Sequence, residues 1–187
     1  MQHKGFSLKD IILLALIGIV FGVIFVGAGY LYNIIMLVLT PIGFGPAAED
    51  ITIGLWCMAG PLAGFLLRRP GAAFLGEVIG AVVEMLIGDQ WGAANLLSGA
   101  IQGLGSELGF AFTGYKVYNW LTAILTTLTT CAVTFVWDWF KSGYDAFKPS
   151  TVITLLIIRV ICMFIIDGVL VKLISNLLER SQVLRAH

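Results

Sequence analysis

Charge is what this sequence has least of. Only 12% of its 187 residues are Asp, Glu, Lys or Arg, against roughly a quarter in an average soluble domain. Eleven basic residues balance eleven acidic ones, so there is neither a basic footprint for nucleic acid nor an acidic disordered tail, and nucleic acid is excluded as the expected partner. Histidine is confined to His3 and His187, which leaves none for a metal centre or a Ser-His pair within an apolar interior. Cys57, Cys131 and Cys162 are odd in number, lack CxxC spacing and lie in long apolar runs; they read as small hydrophobes. No G-x-x-x-x-G-K-[ST] loop, HExxH or GxSxG occurs, and Gly103-Leu104-Gly105 misses the third glycine of a GxGxxG by one place. The expectation is no enzyme, no cofactor, no metal and no ATP site in this chain.

What is present is apolar. Hydrophobic residues make up 59% of the chain and the mean hydropathy is +0.97, values of a membrane protein. At about 20 residues per bilayer-spanning helix, the length allows at most six or seven spans and leaves nothing for a soluble domain. Apolar runs bounded by charge, proline or glycine predict six transmembrane helices: Leu8 to Gly29, Ile51 to Leu67, Gly71 to Gly88, Ala94 to Gly114, Tyr118 to Phe140 and Thr151 to Leu178. The fold expected is all-α, one integral-membrane substrate-binding domain over residues 1–187. The first run is too long for a signal-peptide core and is expected to be retained. Between the first two helices, Tyr30 to Asp50 is mostly apolar but broken by Pro41, Gly43, Gly45 and Pro46. Its best run, Ile34 to Leu39, is too short to span, so the segment either extends the first helix or forms an extracellular re-entrant flap.

Orientation follows from the basic residues. Lys4, Lys9, Arg68, Arg69, Lys116, Lys172, Arg180 and Arg185 fall on the side shared by both termini, and only Lys141 and Lys148 opposite. Both termini are therefore expected in the cytoplasm of a multi-pass cell-membrane protein surrounded by lipid. Arg159 falls near the midplane of the sixth helix.

Ionisable groups at such depths are costly, at least ~2.5 kcal/mol near the bilayer centre, and need a pairing or a function. The third helix carries Glu77 and Glu84, seven residues apart and so on one face. The fourth carries Asn95, Ser98, Gln102 and Ser106 as a polar stripe, with Glu107 beside it; the fifth carries Thr122, Thr126, Thr130 and Thr134 and ends in Trp137-Asp138-Trp139. Several of these have plain structural roles available. The threonines can bond their own helix, Glu77 and Glu107 can pair within a network containing Arg159 and Asp167, and the tryptophans can form an interfacial belt. Glu84, Asn95 and Gln102 differ because they converge on the outer half from adjacent helices. With Tyr32, Asn33, Trp91 and Trp137 from the loops they would make a pocket open to the outside. A carboxylate among aromatics and amides suits a cationic or amidine-like ligand. A proton-coupled carrier or channel for a cationic metabolite, using Glu77, Glu84, Glu107, Arg159 and Asp167 as a relay, is the alternative.

The opening FSLKDIILLALIGIVFGVIF, the block GPLAGFLLRRPGAAFLGEVIGAVVEMLIG from Gly60 to Gly88, and LLSGAIQGLGSELGFAF from Leu96 to Phe112 resemble the S components of energy-coupling factor (ECF) vitamin transporters, and within them the YkoE family. The resemblance covers nearly the whole chain and rests on the whole pattern rather than on one short motif. It implies a substrate-capture subunit of an ABC-type importer of a bacterium, binding thiamine or its hydroxymethylpyrimidine precursor from the extracellular side. The implied partners are a transmembrane coupling subunit and cytoplasmic ATPases. Glu84 would meet the aminopyrimidine, and Trp91 or Trp137 would stack on or face the thiazolium. S components dock the coupling subunit through small residues of the first helix, often Ala-xxx-Ala; here Ala15 is followed by Ile19, and Gly18-xxx-Gly22 with Ala15 nearby would supply the close-approach face. The other use open to these glycines is packing within the chain.

Overall fold

A computed structural model describes residues 5–181; His3, Lys4, Arg185 and His187 lie outside the described residues. The described chain is helical throughout, with no strand among the described residues. The helices are α1 (Leu8–Leu39), α2 (Ala47–Trp56), α3 (Ala59–Leu67), α4 (Ala72–Ile87), α5 (Ala94–Phe112), α6 (Trp120–Lys141), α7 (Pro149–Met163) and α8 (Val171–Arg180). Among the described residues, four helical stretches are long and apolar enough to cross a membrane: Leu8–Ile42, Ala47–Leu67, Trp120–Lys141 and Pro149–Arg180.

α1 starts on a capping box, in which Ser7 N–H donates to Asp10 at 2.8 Å and Asp10 N–H donates to the Ser7 hydroxyl at 3.3 Å. It then runs 32 residues, about 48 Å at 1.5 Å per residue. Of the two possibilities for Tyr30 to Asp50, its first ten residues therefore extend the first helix. Nothing before Pro41 denies the helix a donor, and Gly27 and Gly29 are single interruptions in an apolar run. A 3-10 turn over Thr40–Ile42 and the left-handed Gly43 (φ 74°) then reverse the chain into α2, which begins at Ala47 rather than Ile51.

The second predicted helix is two, broken at Cys57 and Met58. Pro61 explains the break, because its ring would strike the carbonyl four residues back, that of Cys57, and it offers no N–H. The break exposes amides, and Glu77 from α4 answers: its Oε2 accepts Gly60 N–H at 2.5 Å. Glu107 does the same for α4, accepting Gly71 N–H at 2.6 Å and Phe74 N–H at 3.1 Å, with the Tyr115 hydroxyl donating to it at 2.8 Å. Tyr115 lies in the turn after α5, where burial and the Glu107 carboxylate both push its pKa up. Carboxylates at helix starts satisfy orphan amides and meet the positive end of the helix dipole.

The network expected among Glu77, Glu107, Arg159 and Asp167 does not form. Arg159 instead binds Asp50 of α2 (2.6 Å) and Asp138 of α6 (2.7 Å), with the Thr134 hydroxyl at 3.3 Å and the Phe135 ring beneath its guanidinium. Tyr144 donates to Asp50 at 3.2 Å. A planar five-donor fork is filled by two carboxylates at its own depth. Helix-end amides take the other two glutamates. Asp167 sits in a π-helical segment, Phe164–Leu170, that joins α7 to α8.

α4 is 16 residues long, about 24 Å, and is packed between α1, α3 and α5. Small residues set the spacing. A Cβ on Gly105 would lie 2.7 Å from Thr130 Cα, and Gly109 is as closely apposed to Thr126, so α5 and α6 touch backbone to backbone. The α6 threonines are structural as their spacing allows: Thr126, Thr130 and Thr134 each donate to the carbonyl four residues back in their own helix.

Candidate functional site

At the end of the bundle that carries the 88–93 and 142–148 turns, α1, α2, α5 and α6 diverge around a cavity of about 220 Å³. Four aromatics reach it. Tyr32 from the extension of α1, Trp56 from the last turn of α2 and Trp91 from the α4–α5 turn form a mutual edge-to-face cluster, with centroids 5.4 Å apart for Trp56–Trp91, 5.7 Å for Tyr32–Trp91 and 6.3 Å for Tyr32–Trp56. Trp137 faces them from α6, its indole N–H donating to the Ser98 hydroxyl at 3.3 Å. Asn95 and Gln102 line the cavity from α5, two turns apart on one face. The Gln102 amide is buried yet makes no hydrogen bond to another described residue, so its donors and acceptor are open to the cavity.

The charged rim comes from α2 and α6. Lys141 lies 3.3 Å from Glu49 and 4.0 Å from Asp138, and the Ser142 hydroxyl donates to Glu49 at 3.1 Å. Asp138 lines the cavity and leans on Arg159 behind it. Two carboxyl groups, Asp50 and Asp138, share that one guanidinium, while Glu49 is matched by Lys141, so acidic side chains outnumber basic ones around this wall by three to two.

Of the seven pocket residues picked from the sequence, Tyr32, Trp91, Asn95, Gln102 and Trp137 line the cavity together. Glu84 and Asn33 do not. Glu84 is buried behind the wall, where Oε1 accepts the Trp56 indole N–H at 2.9 Å and Oε2 accepts the Asn95 amide. It borders a second recess of about 190 Å³ that also holds Asn33, Asp89 and Gln90. The Asn33 side-chain amide donates to Gln90 Oε1 at 3.0 Å. Glu84 is thus a positioning residue that fixes a tryptophan and an amide of the main cavity. The α4 helix carries it on a face turned inward, and Trp56 intercepts it before it reaches the cavity.

Sequence reasoning missed Trp56, Glu49, Ser98, Thr134, Asp138, Lys141 and Ser142 as lining residues. Asp138 carried a signal, a carboxylate flanked by two tryptophans in an apolar run. Trp56 carried none, since its burial depends on a helix break and on a glutamate 28 residues away.

The small-residue face of α1 is also placed differently. Gly18 packs on Ile79 and Gly22 on Val83, both of α4, where a Cβ on Gly22 would lie 2.5 Å from the Val83 side chain. These glycines serve packing within the chain and are unavailable to a partner. Ala15, one turn before Gly18 on the same side of α1, is nonetheless exposed, as are Leu16 and Ile19. The acids of an expected relay are dispersed: Glu84 holds Trp56 and Asn95, Glu107 caps α4, and Arg159 is locked between two aspartates.

Known proteins agree with this architecture. The family described as the permease component of an ABC-type cobalt transport system matches residues 9–133. A solved structure titled "Crystal structure of an S-component of ECF transporter" superposes with a TM-score of 0.89 at 32% identity, covering 96% of this chain and 89% of that one. The Bacillus subtilis (strain 168) protein named "Putative HMP/thiamine permease protein YkoE" is 33% identical over 181 residues, 97% of this chain and 88% of its own. The chain belongs to the YkoE family of ECF-transporter S components. As an S component it is a substrate-binding membrane subunit of a transporter and not an enzyme, and the aromatic cavity is a half-open space that the fold builds between α1, α2, α5 and α6.

Proposed function

We propose that this S component captures hydroxymethylpyrimidine or thiamine in the aromatic cavity from the outer side of a bacterial cell membrane. It then passes the ligand to a transmembrane coupling subunit driven by cytoplasmic ATPases. The observation that carries the reading is the wall itself: four aromatic rings, the open Gln102 amide and Asn95, and a surplus carboxylate. Such a wall stacks on a flat heteroaromatic ring, pairs with its ring nitrogen and exocyclic amine, and favours positive charge. Among the described residues no group of three or more His, Cys, Asp and Glu side chains converges as a metal site, and the aromatic lining suits an organic ligand rather than a bare metal ion.

Orientation is part of the proposal. Lys9, Arg68, Arg69, Lys116, Lys172 and Arg180 gather at the end opposite the cavity, while Lys141 and Lys148 lie at the cavity end. The basic end is the cytoplasmic one by the positive-inside rule, which opens the cavity outward.

Titration calorimetry of the full chain in detergent tests the ligand class. Saturable one-to-one binding of hydroxymethylpyrimidine or thiamine is expected, with no heat from riboflavin, whose three-ring body exceeds the cavity. Absence of binding by both pyrimidines overturns the proposal.

A further inference from the structure

Two half-open spaces lie side by side, separated by Trp91 and by Trp56 and Asn95, which hold Glu84 between them. Trp91 lines both the cavity of about 220 Å³ and the recess of about 190 Å³ beside it. The other two tryptophans of the main cavity are pinned by their indole N–H groups, Trp56 to Glu84 at 2.9 Å and Trp137 to Ser98 at 3.3 Å. The Trp91 indole N–H donates to no described residue, and its ring is held by contact alone, with Tyr32, Trp56 and the bare backbone of Gly29. A Cβ at Gly29 would lie 3.4 Å from the ring, so α1 offers the ring a smooth surface rather than a socket.

The backbone beneath Trp91 is fixed by contrast. Asp89 Oδ1 accepts Trp91 N–H at 2.9 Å and also Gly92 N–H, and the Asn33–Gln90 amide pair ties the turn to α1. Glycines in the left-handed region, Gly88 (φ 107°) and Gly92 (φ 58°), bracket it. A rigid turn bearing one ring without a polar anchor moves by rotamer alone.

The far recess has its own chemistry. Glu84 and Asp89 supply carboxylates, Asn33 and Gln90 amides, and Tyr30 an aromatic ring, a set that accepts a cationic ring rather than a neutral one.

We propose that Trp91 is a swinging partition that sets the length of ligand the site accepts. With Trp91 in the position seen, the main cavity holds a single heteroaromatic ring. With Trp91 rotated aside, main cavity and recess join, and a two-ring ligand places its neutral ring on Trp56 and Trp137 and its cationic ring beside Glu84 and Asp89. This inference rests on the pyrimidine-ligand reading above and adds to it the residue that discriminates a one-ring from a two-ring ligand.

Calorimetry with hydroxymethylpyrimidine and thiamine on the full chain, Trp91→Ala and Val26→Phe tests it. Trp91→Ala removes the partition, so the ratio of thiamine to hydroxymethylpyrimidine affinity should rise at least tenfold over wild type. Val26→Phe fills the recess from a residue that does not line the main cavity and leaves the Asn33–Gln90 tie in place, so thiamine binding should weaken at least fivefold while hydroxymethylpyrimidine binding stays within twofold. Equal changes for both ligands in either folded variant overturn the partition while leaving the ligand class intact. A wild-type chain that binds neither ligand overturns the ligand class itself.

Discussion

Glu84 shows how a buried carboxylate acts at one remove. It touches no part of the main cavity surface, yet it holds Trp56 and Asn95, two of the groups that do. Replacing it with Gln keeps the volume but turns one acceptor into a donor, which faces the Asn95 donor and leaves one of the two unpaired. We expect Glu84→Gln to weaken hydroxymethylpyrimidine binding by about 1–2 kcal/mol, the cost of one buried unsatisfied group. If the effect passes through Trp56, it is not additive: in a Trp56→Phe background, where the indole donor is already gone, Glu84→Gln should cost measurably less. Calorimetric dissociation constants for the four-member cycle decide this, and full additivity would place Glu84 in direct contact with ligand. Arg159 makes the complementary point. A cation that looks out of place in an apolar helix has two aspartates waiting at 2.6 and 2.7 Å, and it anchors the α2 and α6 sides of the cavity to α7.

The elements are positioned by breaks and by small residues. Pro61 splits the second rod, Glu77 satisfies the amide the split exposes, and the shortened α2 ends with Trp56 pointing at the cavity. On α1, Gly18 and Gly22 let α4 approach, which carries Glu84 to the back of the wall. Gly18→Leu forces a branched side chain into Ile79, and overpacking of this kind costs about 1–3 kcal/mol. A clear drop in thermal midpoint in detergent is expected for Gly18→Leu, whereas Ala15→Leu on the exposed face should shift it little. Equal stability of the two variants would contradict the α1–α4 packing. The two glycines are also a case where spacing alone misleads. A Gly-xxx-Gly pair marks a close helix contact, but whether the second helix belongs to the same chain is invisible in the pair.

For the whole molecule, α1 leaves Ala15, Leu16 and Ile19 exposed, and Ala15 stands about 25 Å of helix from the cavity residue Tyr32, so changes there are independent of cavity geometry. Ala15→Trp places bulk on the face where a coupling helix would approach. It should leave pyrimidine binding by the isolated subunit unchanged, because sites without shared partners act additively, and should reduce ATP-dependent uptake by the assembled transporter at least tenfold. Normal uptake by this variant would move the docking face off α1.

By itself the sequence determined that this is an all-helical membrane protein, because low charge and long apolar runs leave the backbone no way to satisfy its polar groups in lipid except within helices. It also determined the family, and five lining residues of the cavity, since the Asn95–Gln102 spacing puts both on one helix face whatever surrounds it. Three contacts emerge only once the helices are packed: Glu84 with Trp56 and Asn95 rather than the main cavity, Arg159 with Asp50 and Asp138 rather than Glu77 and Glu107, and Gly18 and Gly22 with α4. Each depends on which helix stands opposite and at what depth, and a helical repeat specifies a face but not the neighbour that face will find.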